Sequence, residues 1–335
     1  MALEQINPNQ YKISCLDDFL LNDIPKKIIE NMVDDGTFPN AFLIEGSKGT
    51  GKKTFAKLIS QAILCENENR PCFNCTCCNK IAKGIHPDVK ILSPDTKSGG
   101  YSAELARNII KDAYTLPNEG SRCIFIIPEL PLMAEKTQNS LLKVIEEPPN
   151  NCVFIFTCEN RKQVLPTILS RTAIIRLDTP SYKQKLEFLH LFVPNHDESQ
   201  IQIGAKISKG GFGDAIDILC DEKKQNTYFL ARDCAKEIVL GSGYNLLKLF
   251  LTLDKNKDLA IEVLEHLENI FFDILLSQKT ETFVCEIEKE LYMHISSARC
   301  IKILQHIKNA KLQLASNCSV NIVFTNLCIN AKTLI

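Results

Sequence analysis

One glycine-rich segment constrains the fold of this chain more than any other. It directly follows the apolar run 41–44 and reads Gly46-Ser47-Lys48-Gly49-Thr50-Gly51-Lys52-Lys53-Thr54. The segment fits the pattern G-x-x-x-x-G-K-[ST] at every position but the last, where Lys53 stands. In that pattern, backbone N–H groups at the start of a helix bind phosphate oxygens, and the Lys meets the β- and γ-phosphates. A strand, a glycine turn and a helix in this order predict an α/β fold with a parallel sheet.

The last position of the motif is altered in a way that affects metal binding. The Ser or Thr expected there supplies a hydroxyl to Mg²⁺, whereas Lys53 supplies a positive charge. Thr54 comes one residue late, which places it about 100° further round the helix. We therefore expect ATP or ADP to bind weakly, through Lys52 and the loop amides, without Mg²⁺-dependent hydrolysis.

A second element of the same type of site is also altered. Enzymes built on this loop carry an acidic residue at the end of another strand, where it organises Mg²⁺. The matching run is 123–127, and Pro128 follows it where an Asp is expected. Proline has no side-chain oxygen, and Glu129 remains where a carboxylate would polarise the attacking water. Because metal and electrostatic contacts supply most of the rate enhancement in this chemistry, we predict little or no hydrolysis by this chain.

Composition and charge exclude several classes of protein. The 335 residues are 45% hydrophobic and 24% charged, as in ordinary globular proteins. The 39 basic and 40 acidic residues nearly cancel, so no global field attracts the chain to nucleic acid or membrane. The start of the chain, Met1–Gln5, turns polar at once, and no apolar run reaches the length of a membrane span. We expect no membrane segment and a cytoplasmic location.

The chain divides by pattern into three predicted domains. Residues 1–178 alternate β-rich runs with helical stretches, residues 179–222 form a small helical unit, and residues 223–335 keep only helical spacing. The predicted strands are 41–45, 88–92, 122–127, 152–157 and 173–177, and the predicted helices between them are 52–64, 102–114, 135–146 and 163–169. In the last domain the apolar positions with helical spacing include Ala260, Val263, Leu264, Leu267, Ile270, Phe271 and Ile274. This pattern predicts a helical bundle used for packing or assembly.

Four of the fifteen cysteines have the spacing of a metal site. They are Cys65, Cys72, Cys75 and Cys78, and they surround a polar stretch that favours loops. Four thiolates close a tetrahedral shell that suits structural Zn²⁺ and leaves no position for a substrate water. Chance spacing in a cysteine-rich chain and an iron–sulfur cluster are the alternatives. Cys77 is an extra thiol, and the remaining cysteines are predicted to be reduced and mostly buried.

Further motifs occur in a defined order along the first half of the chain. They are Asn40–Ile44, His86–Asp88, Asn139–Pro149 and Leu165–Thr172. Together with the loop and the cysteines they resemble the clamp-loader branch of the AAA+ family, most closely its delta-prime type of subunit in bacterial DNA polymerase III. The resemblance covers most of residues 10–220 and is weak beyond 225. It implies a RecA-like AAA+ P-loop domain with an inserted zinc module at about 65–78, a helical lid and an all-helical collar.

The resemblance also implies roles for individual residues. Ser170 and Arg171 match the family motif that places an arginine at the subunit edge, where it reaches the γ-phosphate bound by the next subunit. Thr172 stands where the family has Cys. In the stretch 211–215, Gly213 replaces the sensor arginine of the catalytic members. The resemblance thus implies that Arg171 is an arginine finger in trans, which means an arginine supplied to the active site of a neighbouring subunit. The chain's own catalytic residues are replaced.

The resemblance implies a partner set and leaves two competing functions. As a non-hydrolysing member, the chain would join gamma/tau ATPase subunits and a delta subunit in a hetero-pentamer that loads the sliding clamp onto primed DNA in the replisome. The alternatives are an active gamma/tau-like ATPase, with Thr54 or water at the metal position, and a stand-alone regulator that binds zinc and nucleotide. Whether the chain is itself an enzyme is left open by the sequence.

Two further polar motifs have simpler interpretations. His86 precedes a proline and a predicted strand, which favours a turn over metal ligation. Glu146 and Glu147 could form an acid–base pair, but their place before two prolines favours a helix end at a structural or intersubunit contact.

Overall fold

The computed structural model describes two compact units. It describes residues 23–96, 99–149, 151–193, 196–208, 210–253, 256–280, 290–316 and 318–333. The first unit contains the chain up to 195 together with 208–216, and the second contains 196–207 and 217–335. The domain boundaries proposed near 178 and 222 stay predictions.

The first unit is built on a five-stranded parallel sheet with the order β2-β3-β4-β1-β5. The strands are β1 (Ala41–Glu45), β2 (Val89–Ile91), β3 (Cys123–Ile127), β4 (Cys152–Cys158) and β5 (Ala173–Arg176). The helices are α1 (Asp23–Asp34), α2 (Lys52–Leu64), α3 (Thr76–Lys83), α4 (Ala103–Ala113), α5 (Glu135–Glu146), α6 (Pro166–Leu169) and α7 (Tyr182–Phe192). The predicted α/β class with a parallel sheet is confirmed, and α6 is shorter than the predicted helix 163–169.

The central strands are buried on both faces. Leu43, Phe125 and Phe154 belong to one apolar cluster with residues of α4, α5 and α6, and the two phenylalanine rings stack with centroids 5.5 Å apart. Helix α2 contacts β1, β3 and β4. Strands covered on two sides contain uninterrupted apolar runs, as β1, β3 and β4 do.

The register of the sheet determines where polar groups can gather. Leu43 of β1 pairs with Phe156 of β4 and with Ile174 of β5, and Ile127 at the end of β3 also pairs with Phe156. All four strands run in the same direction, so their carboxyl ends meet at one edge. The residues that follow β1, β3 and β4 are therefore brought together there.

The second unit is helical throughout its described residues. It contains α8 (Glu198–Ile207), α10 (Glu222–Val239), α11 (Gly243–Leu251), α12 (Lys257–Thr280), α13 (Ser297–Ala315) and α14 (Val320–Lys332), while α9 (Phe212–Cys220) begins in the first unit. Every apolar position predicted from residue 260 to 274 is fully buried in one cluster. The predicted bundle is confirmed, and no helix of the described residues is long and apolar enough to cross a membrane.

None of the described cysteines is in a disulfide bond. Outside the clustered stretch, Cys123, Cys152, Cys158, Cys234, Cys300 and Cys328 are buried as predicted, whereas Cys220 and Cys318 are exposed. Cys15 and Cys285 lie outside the described residues.

Asp88 connects the start of β2 to the loop that precedes β3. Its Oδ1 accepts the Asn118 N–H at 2.6 Å, and its Oδ2 accepts the N–H groups of Glu119 and Gly120 at 2.8 and 2.7 Å. The residue is only 2% exposed. Desolvation alone would raise the pKa of this carboxyl, but the backbone N–H donors outweigh it and hold the pKa at about 2.

We predict that Asp88→Asn lowers the free energy of unfolding by about 1–3 kcal/mol at neutral pH, because the amide cannot accept every N–H donor. The folded pKa lies below the ordinary value, so the carboxylate's contribution is present above about pH 4 and is lost as the pH falls toward the folded pKa. Urea midpoints measured from pH 7 to pH 2 test this, with Asp35→Asn at an exposed position as the control. Equal acid dependence of Asp88→Asn and the wild type would contradict the assignment.

Candidate nucleotide site and metal centre

The loop between β1 and α2 has the geometry of a phosphate-binding loop. Gly49 and Gly51 have φ values of +75° and +83°, in the left-handed region that favours glycine. Gly51 is the N-cap of α2 and gives it no side-chain capping bond. The N–H groups of the first turn of α2 are therefore available to an anion, which the helix dipole also favours.

Lys52 is held at the base of this loop by three acceptors. Its Nζ donates to the Gly46 carbonyl at 2.7 Å and to the Ser47 carbonyl at 3.2 Å, and it lies 3.0 Å from Oε1 of Glu129. The side chain is 7% exposed. The ammonium thus has two hydrogen bonds to carbonyl oxygens and one ion pair. A bound phosphate would have to replace one of these acceptors.

The end of β3 offers little to a metal ion. Pro128 has no side-chain oxygen, and its carbonyl accepts the Tyr101 hydroxyl at 2.5 Å. Glu129 adopts a left-handed φ of +46° and donates its N–H to Thr157 Oγ1 at 2.9 Å. Its carboxylate is already paired with Lys52. Among the described residues that line the cavity at this edge, the other carboxylate is Glu159.

A cavity of about 460 Å³ opens over the loop. One side is the loop itself, with Lys48, Lys52 and Lys53, and the other is apolar, with Phe188, Phe212 and Ile216. The two phenylalanine rings stack with centroids 4.4 Å apart. A charged floor beside an apolar wall is the composition of a site for a phosphorylated ligand with an apolar moiety.

The glycine-rich turn before α9 packs directly on the loop. The Gly211 N–H donates to the Lys48 carbonyl at 2.8 Å, and the Gly213 N–H donates to the Gly49 carbonyl at 3.1 Å. A Cβ at Gly211 would lie 2.2–2.5 Å from backbone atoms of Gly49 and Thr50, so this position requires glycine. A Cβ at Gly213 would have its closest contact at 3.5 Å. The position where the resemblance expects an arginine thus has room for a Cβ.

Arg171 lies after α6 and does not line the cavity. Its Nε is 2.8 Å from Oε1 of Glu146, and its Nη1 donates to the Thr167 carbonyl and to Ser170 Oγ, each at 3.0 Å. The side chain is 39% exposed. The guanidinium is therefore accessible from outside the chain.

The four predicted cysteines converge, so they could hold a metal ion. Cys65 is the C-cap of α2, Cys72 and Cys75 lie in the following turn, and Cys78 lies in the first turn of α3. All four sulfur atoms lie within 4.8 Å of one another, and those of Cys65 and Cys75 are 3.9 Å apart. A tetrahedral shell with Zn–S bonds of about 2.3 Å requires sulfur atoms roughly 3.8 Å apart.

Backbone N–H groups donate to two of the four sulfur atoms. The Cys75 N–H donates to Cys72 Sγ and the Cys78 N–H donates to Cys75 Sγ, both at 3.3 Å. Desolvation raises the pKa of Cys72, but the N–H groups of Asn74 and Cys75 outweigh it and bring the pKa to about 6.

Cys77 is distinguished from its neighbours by its hydrogen bonds. The Asp88 N–H donates to His86 Nδ1 at 3.2 Å, so the His86 proton is on Nε2, which lies 3.6 Å from Cys77 Sγ. The Cys77 thiol in turn donates to the Leu64 carbonyl at 3.5 Å. Burial lowers the pKa of His86 and raises that of Cys77 to about 11, so both are neutral. No sequence pattern predicts this chain of bonds, which connects the cysteine-rich segment to β2.

We predict that Cys75→Ser abolishes stoichiometric zinc and lowers the melting temperature, because three thiolates cannot close the shell. Cys77→Ser is the matched control and should keep the metal. Mass spectrometry of metals after dialysis, together with thermal melts, measures both effects. Zinc retained in Cys75→Ser, or zinc absent from the wild-type protein, would contradict the assignment.

Comparisons with known proteins agree with the resemblance of the motifs. The model of the family described as DNA polymerase III, delta subunit, matches residues 22–181. The gamma subunit of DNA polymerase III from Buchnera aphidicola is 30% identical over 199 residues, which is 58% of this chain and 54% of that protein. The delta' subunit from Bacillus subtilis is 32% identical over 148 residues, which is 43% of this chain and 44% of that protein.

The chain thus spans about half of the length of these curated relatives. Among solved structures, a gamma subunit-related protein from Thermotoga maritima is 15% identical with a TM-score of 0.46, covering 93% of this chain and 100% of that one. The family model and the named relatives together support a place for this chain in the AAA+ clamp-loader family.

Proposed function

We propose that this chain is a delta-prime-like subunit of the DNA polymerase III clamp-loader complex that does not hydrolyse ATP itself. In this role it assembles with gamma/tau ATPase subunits and a delta subunit in a hetero-pentamer. The complex opens the sliding clamp and loads it onto primed DNA, and the chain works in the cytoplasm at the replisome. Its own contribution to chemistry is Arg171, offered to the ATP of a neighbouring subunit.

The observation that carries this proposal is the replacement of the chain's own metal ligands. Lys53 and Pro128 stand where a hydroxyl and a carboxylate would hold Mg²⁺. Glu129, the carboxylate that remains, is 3.0 Å from Lys52 and neutralises it. Catalysis of phosphoryl transfer depends on charge stabilisation by metal ions and fixed cations. We expect nucleotide to bind weakly through Lys52 and the loop amides, with no productive turnover.

The Arg171 proposal is supported by exposure and by motif. The Arg171 side chain is 39% exposed and lies outside the chain's own cavity, and its Nη1 donates to Ser170 Oγ. An arginine supplied in trans stabilises the charge that develops on the transferred phosphoryl group, and it increases turnover by roughly 10³–10⁵.

A structural zinc ion is the second part of the proposal. Cys65, Cys72, Cys75 and Cys78 would hold it, and Cys77 would stay outside the shell because its sulfur is hydrogen-bonded to His86. Four thiolates saturate a tetrahedral ion, so the ion would stabilise the segment between α2 and β2 and would not bind substrate.

The competing function is a gamma/tau-like ATPase. It is favoured by the gamma subunits among the relatives and by the intact Lys52. This function requires Thr54, about 100° further round α2, or a water molecule to replace the missing hydroxyl.

We predict that Arg171→Ala in the reconstituted complex lowers DNA- and clamp-stimulated ATP turnover by roughly 10³-fold or more at the neighbouring site, because the transition-state cation is lost. Arg176→Ala removes another exposed arginine, which pairs with Asp178 at 3.2 Å, and serves as the control. Steady-state hydrolysis by the purified complex measures both. Unchanged turnover in Arg171→Ala would remove the finger role.

A further inference from the structure

The carboxylate of Glu146 is the principal charged contact of Arg171. Glu146 is the last residue of α5, and its Oε1 lies 2.8 Å from Arg171 Nε. The two side chains are 44% and 39% exposed. Glu147 is also exposed, but the structure gives its carboxylate no partner among the described residues. The two adjacent acids are therefore not equivalent, although the sequence does not distinguish them.

The hydrogen bonds of Arg171 leave one nitrogen for an external ligand. A guanidinium has five N–H donors in one plane. Nε lies 2.8 Å from Glu146 Oε1 in an ion pair, and Nη1 donates to the Thr167 carbonyl and to Ser170 Oγ. Within the described residues, Nη2 has no protein acceptor. The plane of the group is thus fixed by three contacts, and Nη2 is the nitrogen left to meet an anion.

The contacts come from two elements that pack on the same core. Leu141 and Ile145 of α5 and Ile168 of α6 are buried in one apolar cluster. Ser170 is the C-cap of α6, and its hydroxyl also donates to the Thr167 carbonyl at 3.1 Å. A free arginine side chain loses rotamer entropy when it is immobilised. Here part of that loss occurs on folding, before any partner binds.

We propose that Glu146 is a positioning residue for Arg171, which it holds with Nη2 directed to a phosphate oxygen of the nucleotide bound by the adjacent subunit. This inference rests on the proposed function of Arg171 as a finger in trans. Catalysis by such a group depends on its orientation, and small misplacements reduce turnover strongly. The negative charge of Glu146 has the opposite effect, since it repels phosphate. Removal of Glu146 should therefore lower ATP turnover if positioning dominates and raise it if repulsion dominates.

The test uses the complete reconstituted complex and measures kcat and KM for ATP. We expect Glu146→Ala to lower kcat roughly ten- to a hundredfold with KM little changed, because the adjacent subunit still binds its own nucleotide. Glu146→Gln keeps an oxygen that can accept the Nε–H and should restore most of the turnover. Glu147→Ala is the matched control and should behave as the wild type. Ser170→Ala removes an Nη1 acceptor and should also lower kcat.

A double-mutant cycle distinguishes positioning from a general structural effect. In the Arg171→Ala background, Glu146→Ala should cause no further loss, because the group that it positions is absent. Higher turnover in Glu146→Ala would show that repulsion dominates and would overturn the inference. Full turnover in Glu146→Ala would also overturn it, whatever the effect of Ser170→Ala. If Arg171→Ala itself leaves turnover unchanged, the proposed function fails as well, so the two failures are distinguishable.

Discussion

The parallel pairing of β1, β3 and β4 is the constraint on which the rest of the molecule depends. It brings the loop after β1 and the turn after β3 to the same edge of the sheet, so that Lys52 and Glu129 can approach to 3.0 Å. The glycine turn before α9 is hydrogen-bonded to the loop after β1, and Phe212 and Ile216 of α9 line the apolar side of the cavity there. Because these three strands are buried on both faces, their register is fixed by the core. The site geometry therefore follows from packing, although its catalytic ligands are replaced.

The chain has the loop and helix of a nucleotide site, but other residues stand at the positions where the motif predicts metal ligands. Helix α2 begins at Lys52 and ends beside Cys65, so its 13 residues, about 20 Å long, connect the loop to the cysteine cluster. Lys53 in its first turn and Pro128 after β3 stand where the motif predicts metal ligands. Arg171 does not line the cavity, and its Nε lies 2.8 Å from Glu146 Oε1. A subunit of this kind would contribute stability and one cation to a neighbour's site.

The sequence predicted regular structure well and side-chain partners poorly. The strands and the buried stripe of α12 follow from local periodicity, which a single segment reveals. Helix α3 was not predicted, because its first residues lie between the cysteines of a segment that favours loops, and α1 was not predicted either. The contacts Lys52–Glu129 and Glu146–Arg171 join residues far apart in the chain, so spacing could not reveal them. The asymmetry between Glu146 and Glu147 likewise depends on tertiary packing.

The most direct test of this interpretation is steady-state ATP hydrolysis by the purified chain in the presence of Mg²⁺, measured beside the Lys52→Ala variant. We expect no hydrolysis above the level of the variant, because a phosphate that replaces Glu129 at Lys52 would find no protein ligands for the metal ion. Turnover by the wild-type chain that is lost in Lys52→Ala would contradict the central claim and would favour an active ATPase subunit.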